Sequence, residues 1–120
     1  MIEPDGANVT LMVADLDRAV GFYTGLLGFS LLYRADPHFA MVERKGFQVG
    51  LHPWGAADRE PRSRGVSIGL SVSDIQEAVE RLQSEGVAFP GGIVDDDGAI
   101  LRADFRDPDG TGLYLVQERR

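Results

Sequence analysis

Few side chains of this chain could carry out chemistry by themselves. Among its 120 residues there is no cysteine, and the two histidines, His38 and His52, stand 14 positions apart. The lack of cysteine excludes disulfides, thiolate nucleophiles and every thiolate metal site. No carboxylate stands at a metal-motif distance from either histidine. We therefore predict that both histidines are rim or surface side chains, with a polar ligand contact as the alternative for His52.

Other motifs that carry chemistry are also missing from the sequence. It contains no recognisable Ser-His-Asp set, no Walker-type phosphate loop and no Gly-x-Gly-x-x-Gly element. The acidic run Asp-Asp-Asp-Gly at residues 95–98 lacks the alternating spacing and the terminal Glu of a calcium loop. We predict a solvated turn there.

The charge balance argues against two classes of partner. Twelve Lys and Arg against 19 Asp and Glu give a net charge of -7. Such a field repels nucleic-acid phosphates and anionic lipid surfaces, so we predict neither nucleic acid nor a membrane as partner. It favours a cationic ligand only weakly. No apolar run approaches 18 residues and the first residues lack a leader pattern, so we expect a cytoplasmic protein.

The chain contains an internal repeat that locates its elements. Residues 9–20 resemble residues 68–79 at a constant offset of 59, with Asp15 matching Asp74. In both copies apolar residues first alternate with polar ones, as in a strand, and then recur at helical spacing. The two aspartates are therefore predicted to be helix N-caps.

Each half is predicted to fold as a β-α-β-β-β module. Both helices end at a glycine, Gly28 or Gly86, where a helix C-terminus favours positive φ. Turn residues then bound short extended runs. The predicted strands after the helices cover about residues 29–35, 39–44, 47–52, 87–89, 99–106 and 112–118. The modules span residues 7–54 and 65–118, joined by a linker at 55–64.

The strand that leads each module is predicted to have one covered and one open face. Its branched aliphatic residues share one parity, which is typical of a face covered by a helix. Small polar residues leave room for a ligand on the other face, although a solvated sheet face is the alternative. The open-face positions are Asn8, Thr10, Met12, Ser67, Gly69 and Ser71.

Three motifs together carry a family resemblance. They are Val13-x-Asp15-Leu16, Phe22-Tyr23-x-x-Leu26-Leu27-Gly28-Phe29 and Phe105-Arg106-Asp107-Pro108-Asp109-Gly110. The chain resembles, over about residues 7–117, the vicinal oxygen chelate superfamily of glyoxalase I, extradiol dioxygenases and fosfomycin- and bleomycin-resistance proteins. The resemblance implies an α+β fold: two βαβββ modules forming a curved eight-stranded mixed half-barrel sheet with helices on the convex face. It also implies a single domain over residues 1–120, usually dimeric.

The resemblance further implies where a catalytic metal would bind, and this sequence departs from the pattern there. Catalytic members hold a divalent metal through His and Glu side chains. The matching positions are Asn8 on the first strand, Val49 on the fourth, Ser67 (or Gly65 if that strand is slipped) in the second module, and Tyr114 on the last strand. None of them supplies an imidazole or a carboxylate. We therefore predict no metal site and no cofactor.

The predicted cavity is lined by polar, apolar and aromatic side chains instead. Phe47, Val49 and Leu51 share one parity on the fourth strand, and the only tryptophan follows it. Trp54 is the best single candidate for stacking on a flat or cationic ligand, with core packing as the alternative for every aromatic. The predicted ligand-binding residues are Asn8, Thr10, Phe47, Val49, Leu51, His52, Trp54, Ser67 and Tyr114. No catalytic residue is predicted.

The resemblance and the missing metal ligands together favour binding over catalysis. We expect a metal-free small-molecule-binding protein that resembles bleomycin-resistance proteins. It would sequester an antibiotic or another aromatic or cationic ligand in a cavity at a homodimer interface. One alternative is a glyoxalase-like lyase or isomerase, or a dioxygenase-type enzyme, with an atypical site and an acid or base such as Tyr114 or His52. Another is an accessory domain that acts through protein contacts.

Overall fold

The β-α-β-β-β pattern predicted for each half is present in the computed structural model, which describes residues 1, 3, 5–53, 66–96, 98 and 100–118. The chain divides into two compact units, Met1–Arg64 and Gly65–Arg120, and each contains one four-stranded sheet. The predicted linker at 55–64 and Trp54 lie outside the described residues.

The first module follows the predicted order of elements. It consists of β1 (Asn8–Val13), α1 (Leu16–Gly21), β2 (Ser30–Ala35), β3 (Phe39–Arg44) and β4 (Phe47–Pro53). The sheet has the order β1-β4-β3-β2, with β1 parallel to β4 and the other pairs antiparallel. Helix α1 packs against β3 and β4.

The second module repeats this arrangement. It consists of β5 (Ser67–Ser71), α2 (Ile75–Ser84), β6 (Ile93–Asp96), β7 (Ile100–Arg106) and β8 (Gly112–Glu118). The sheet has the order β5-β8-β7-β6, again with one parallel pair, β5 with β8. Helix α2 packs against β7 and β8. The α+β class is confirmed: eight strands lie in two mixed sheets, and each sheet has its own helix.

The predicted helix N-caps and the positive φ of the two glycines are confirmed in both modules. The side chains of Asp15 and Asp74 each accept the backbone N–H of the residue three positions later, at 2.9 and 3.1 Å. Gly28 and Gly86 have φ values of 78° and 93°, which only glycine adopts without strain. In both modules, therefore, an aspartate caps the start of the helix and a glycine with positive φ follows its last turn.

Helix α1 ends earlier than the apolar spacing predicts. It passes into a π-helical turn over Phe22–Leu26, in which the N–H of Leu27 donates to the carbonyl of Phe22 at 3.2 Å. The hydroxyl of Thr24 donates to the carbonyl of Val20 at 2.7 Å. Such a bond from a hydroxyl to the carbonyl four residues earlier is common where helices bend, and here it accompanies the change from α-helical to π-helical hydrogen bonding.

The strand after α2 differs from the prediction. Residues 87–89 are not a strand, and β6 instead lies at Ile93–Asp96, antiparallel to β7. Aspartate disfavours strands, which is why the sequence predicts a turn at Asp95, but pairing with β7 outweighs that preference. The turn itself starts only afterwards, where the carboxylate of Asp95 accepts the N–H of Gly98 at 3.0 Å.

The core of the first module lies between α1 and one face of its sheet. Leu11 and Val13 of β1 are fully buried there, as the strand alternation predicts. Leu11 pairs with Leu51 in a parallel register, so both side chains lie on the same face, and Val49 shares the parity of Leu51. Val49 and Leu51 are also fully buried. The prediction that these two residues line a cavity is therefore wrong, because the register of β4 against β1 directs both under the helix.

The second module buries the equivalent face beneath α2. Ile75, Val79 and Leu82 of the helix are buried, as are Leu113 and Leu115 of β8. The apolar face of the helix and the apolar face of the sheet therefore form one buried layer, as the repeat predicts.

An ion-pair group connects β2 to the start of α1. Arg34 donates to the carboxylates of Asp17 and Asp36, each at 2.8 Å. These two hydrogen bonds, that of Asp17 first, raise the pKa of Arg34 above its ordinary value. Because both carboxylates are largely exposed, the group orients the strand against the helix more than it stabilises the fold.

Candidate functional site

The face of the first sheet opposite α1 carries polar, sulfur-containing and aromatic side chains. We call it the first open face, and strand pairing arranges its residues in cross-strand rows. One row holds Thr10, Gly50 and Met41, and the next holds Asn8, Gln48 and Glu43. Met12, His52, Phe39 and Tyr33 complete this face. Side chains opposite one another in such rows are in contact distance.

An aromatic cluster occupies the centre of the first open face. The ring of Phe39 lies over Gly50: a Cβ built on this glycine would lie 2.7 Å from Cζ of Phe39 and 3.0 Å from Oγ1 of Thr10. The ring centre of Phe39 lies 6.0 Å from that of Tyr33 and 6.4 Å from that of His52. Tyr33 is 52% exposed. The cluster therefore presents a partly open aromatic surface, on which a flat ligand could stack.

His52 is oriented by the backbone of the residue that follows it. Its Nδ1 lies 2.8 Å from the carbonyl of Pro53. A carbonyl only accepts hydrogen bonds, so in this contact Nδ1 donates. A neutral imidazole held in this way keeps Nε2 as an acceptor for a ligand.

The second open face, opposite α2, has a different centre. The ring of Tyr114 lies across Gly69, because a Cβ built on that glycine would lie 2.5 Å from Cζ and 2.6 Å from the hydroxyl oxygen of Tyr114. The guanidinium carbon of Arg102 lies 4.1 Å from the centre of the same ring. Arg102 also pairs with Asp104, Nε to Oδ1 at 2.8 Å. Glycine, phenol and guanidinium thus form a stack on the sheet.

A cleft of about 480 Å³ adjoins this stack within the second module. Polar lining comes from Arg102, Asp104, Arg106 and Ser67, and the loop at residues 88–92 with Val94 supplies most of the rest. Its volume falls in the range of small-molecule sites, which combine apolar walls with a few directed polar groups.

The turn between β7 and β8 positions Arg106 at this cleft. The buried carboxylate of Asp107 accepts the N–H groups of Asp109 and Thr111, both at 2.9 Å. Gly110 has a φ of 87° and its carbonyl accepts from Nη1 of Arg106 at 2.8 Å. The Asp-Pro-Asp-Gly motif therefore closes the hairpin and also orients the arginine that precedes it.

Five of the predicted ligand-binding residues lie on the open faces. Asn8, Thr10 and His52 lie on the first, and Ser67 and Tyr114 lie on the second. Only Ser67 among them lines the cleft. Their role in binding stays a prediction, but their side chains are placed where a ligand could reach them.

The remaining four predicted residues are placed differently. Val49 and Leu51 are in the core, as described above. Phe47 has the same parity as Val49 and is 39% exposed at the start of β4, so it does not lie on the open face. Trp54 is outside the described residues.

The sequence interpretation missed the residues that dominate both faces. The sequence places Phe39 within a strand without indicating a role for it, and the patterns described above assign no ligand contact to Arg102, Asp104 or Arg106. The signal was available, since these three alternate along one predicted strand and therefore share a face. The sequence could not show whether these three residues lie on the same face of the sheet as Tyr114, because that depends on how the two strands pair.

Two βαβββ modules, each with a helix on one face of its sheet and an open face opposite, define the structural class of this chain. The model of the Glyoxalase/Bleomycin resistance protein/Dioxygenase superfamily matches residues 7–114, and the chain belongs to this superfamily. No helix in the described part of the chain is long and apolar enough to cross a membrane.

Similar proteins include both enzymes and proteins named by family alone. The chain is 32% identical to the lactoylglutathione lyase of Escherichia coli O157:H7, covering 91% of this chain and 89% of the relative. It is 28% identical to the probable lactoylglutathione lyase of Vibrio cholerae, covering 92% and 88%. A superfamily member of known structure from Sphaerobacter thermophilus shares 30% identity with a TM-score of 0.76, covering 93% of this chain and 96% of its own.

The residues at the expected metal positions do not fit a divalent metal. Within the described ranges no group of three or more His, Cys, Asp or Glu residues could hold one. Asn8 and Ser67 present an amide and a hydroxyl, and Tyr114 presents a phenol that lies beneath the guanidinium of Arg102. Imidazole and carboxylate are the ligands that such metals require, and none of these three side chains supplies either. We therefore derive no reaction step through a metal.

Proposed function

We propose that this protein binds a small organic molecule on its open sheet faces without a divalent metal. The single observation that carries the proposal is the stack of Arg102 on Tyr114 at the position where the family's last-strand carboxylate falls. A glutamate side chain at this position would coordinate a metal. A phenol covered by a guanidinium instead provides a contact surface for an organic molecule.

The first open face supports the aromatic or cationic ligand class. Phe39, Tyr33 and His52 offer ring surfaces. Glu43 on the same face carries a carboxylate, one oxygen of which accepts the N–H of Gly46 at 2.6 Å. Met12, which is partly exposed, adds polarizable sulfur that adapts to the shape of a bound ring. Within the proposal, the ligand is an antibiotic or another aromatic or cationic compound sequestered by a cytoplasmic homodimer.

A second candidate function is that of a glyoxalase-like lyase. It is supported by the relatives named lactoylglutathione lyase at about 30% identity. The donor set described above argues against it. The two candidates differ in a measurable way, since a lyase of this type must turn over substrate and a binding protein need not.

The test compares this chain with the lactoylglutathione lyase of Escherichia coli O157:H7 under identical conditions. Both proteins are titrated with Ni²⁺, Zn²⁺ and Mn²⁺ by calorimetry and assayed for lactoylglutathione lyase activity with each metal. We expect no stoichiometric metal binding and no turnover by this chain. Tight binding of one metal per chain, with turnover that depends on it, would contradict the proposal and establish the lyase.

A further inference from the structure

We propose that the cleft of the second module binds the carboxylate group of a small organic acid between Arg106 and Ser67, above Gly112. The inference rests on the proposed small-molecule-binding function and assigns a ligand chemistry to one site within it. The net charge of -7 does not favour an anionic ligand, so only the local arrangement of charges and donors could attract one.

The floor of the proposed site is a cross-strand row with an empty centre. Gly112 of β8 pairs with Arg106 of β7 on one side and with Ser67 of β5 on the other. A Cβ built on Gly112 would meet nothing closer than the carbonyl oxygen of Val66, at 3.8 Å. Because adjacent strands lie about 4.8 Å apart, the two flanking residues are separated by about 10 Å at the backbone. That gap can admit a ligand group.

Hydrogen-bond donors flank this gap on both sides. The guanidinium of Arg106 is held at the cleft by its Nη1 contact to the carbonyl of Gly110. A guanidinium has five N–H donors in a planar fork that matches a carboxylate, and the Ser67 hydroxyl can donate from the opposite side. Since both residues line the cleft, one carboxylate can contact both.

The nearest acidic group is already neutralised by its neighbour. Asp104 lies on the same face of β7 as Arg106 and lines the cleft. Its carboxylate is paired with Arg102 at 2.8 Å. Of the three charged residues that line the cleft, two are positive and one is negative, so the site keeps a local excess of one positive charge. That excess favours a monoanion over a neutral or cationic group.

The remaining wall of the cleft is suited to the apolar body of such an acid. Pro90 and Val94 line it, and Val94 is 51% exposed. A ligand with a charged group and an apolar body could place the charged group at Arg106 and cover Val94 with the apolar body. The chemical class is therefore a small monocarboxylate with an aromatic or aliphatic body.

The test uses 3-phenylpropionate, its neutral amide 3-phenylpropanamide and the cation phenethylamine as probes. Binding to the full chain is followed by NMR through the backbone amides of Ser67 and Gly112. We expect the carboxylate to bind at least tenfold more tightly than the amide and the amine to show no saturation. Added salt should weaken the binding of 3-phenylpropionate and leave that of the neutral amide unchanged.

Matched variants separate the site from the overall charge. Arg106→Gln should lower the affinity for 3-phenylpropionate at least tenfold. Arg44→Gln removes the same charge from the first module and should change that affinity less than twofold. Gly112→Val should abolish binding without unfolding the protein, since the added Cβ would meet nothing closer than the carbonyl oxygen of Val66, at 3.8 Å.

Equal affinity for acid and amide, or an unchanged affinity in Arg106→Gln, would overturn this inference. If an organic molecule nevertheless remains bound through native purification, the proposed function stands and only the carboxylate site fails. If no organic molecule binds by either approach, the proposed function fails as well.

Discussion

The ring of Tyr114 lies across Gly69, and the guanidinium of Arg102 lies 4.1 Å from the centre of that ring. Gly69 and Tyr114 are directly paired on β5 and β8. The missing side chain on β5 therefore creates the space that the ring occupies. The same device occurs in the first module, where Phe39 lies over Gly50. Each open face thus carries one aromatic ring placed on one glycine.

The first prediction concerns Gly69→Ala. Because the added Cβ would fall 2.5 Å from Cζ of Tyr114, the ring must swing off the sheet and leave Arg102. We expect a loss of about 1 kcal/mol in the free energy of unfolding, measured with urea. The ring-current shift of the Arg102 side chain should also disappear from the NMR spectrum. Gly112→Ala is the control and should change neither quantity, since its added methyl group meets nothing closer than the carbonyl oxygen of Val66, at 3.8 Å.

A second prediction tests which face is covered. Leu11→Asp places a carboxylate in the apolar layer beneath α1, where Leu11 is fully buried. It should lower the free energy of unfolding by about 4 kcal/mol or more. Asn8→Asp adds the same charge to an exposed position on the same strand and should leave circular dichroism and the melting temperature nearly unchanged. Similar melting temperatures for the two variants would show that the face assignment is wrong.

A third prediction concerns the hairpin that orients Arg106. Asp107→Ala removes the acceptor of two backbone N–H groups in a buried turn. We expect a loss of about 1 to 3 kcal/mol in the free energy of unfolding. Asp107→Asn keeps one acceptor oxygen and should lose clearly less. If alanine and asparagine cost the same, the two hydrogen bonds are not what stabilises the turn.

A fourth prediction concerns the aromatic cluster. Phe39→Ala removes the ring that joins Tyr33 to His52 and uncovers Gly50. Affinity for an aromatic ligand of the first open face should fall by about 1 to 3 kcal/mol, as for a central aromatic contact. The ligand recovered from native purification serves as the probe in a fluorescence titration. Phe47→Ala removes an aromatic outside the open face and should bind that ligand normally.

Local chemistry explains the parts of the fold that could be predicted from the sequence. A cap at Asp15, a left-handed glycine at Gly28 and alternation along β1 each depend on residues close in the chain. Strand β6 could not be predicted, because its pairing with β7 overrides the turn preference of Asp95. The side on which Val49 lies depends on the register of β4 against β1, and a shift by one residue reverses every side chain of a strand.

The candidate site was less predictable for the same reason. Asn8, Thr10 and Ser67 could be assigned to open faces because alternation within one strand determines their parity. The contacts of Arg102 with Tyr114, and of Phe39 with Gly50, join residues on different strands. Such contacts depend on the register of the strands and on a glycine lying beside a large side chain of a neighbouring strand. Neither is a local property of the sequence.

The central claim, binding without a divalent metal, is tested most directly by native mass spectrometry of the protein purified without chelators. We predict a mass equal to that of the chain or its dimer plus one or more organic molecules, with no mass of nickel, zinc, manganese or iron. One tightly held divalent ion per chain, retained through desalting and absent after treatment with a chelator, would contradict the account.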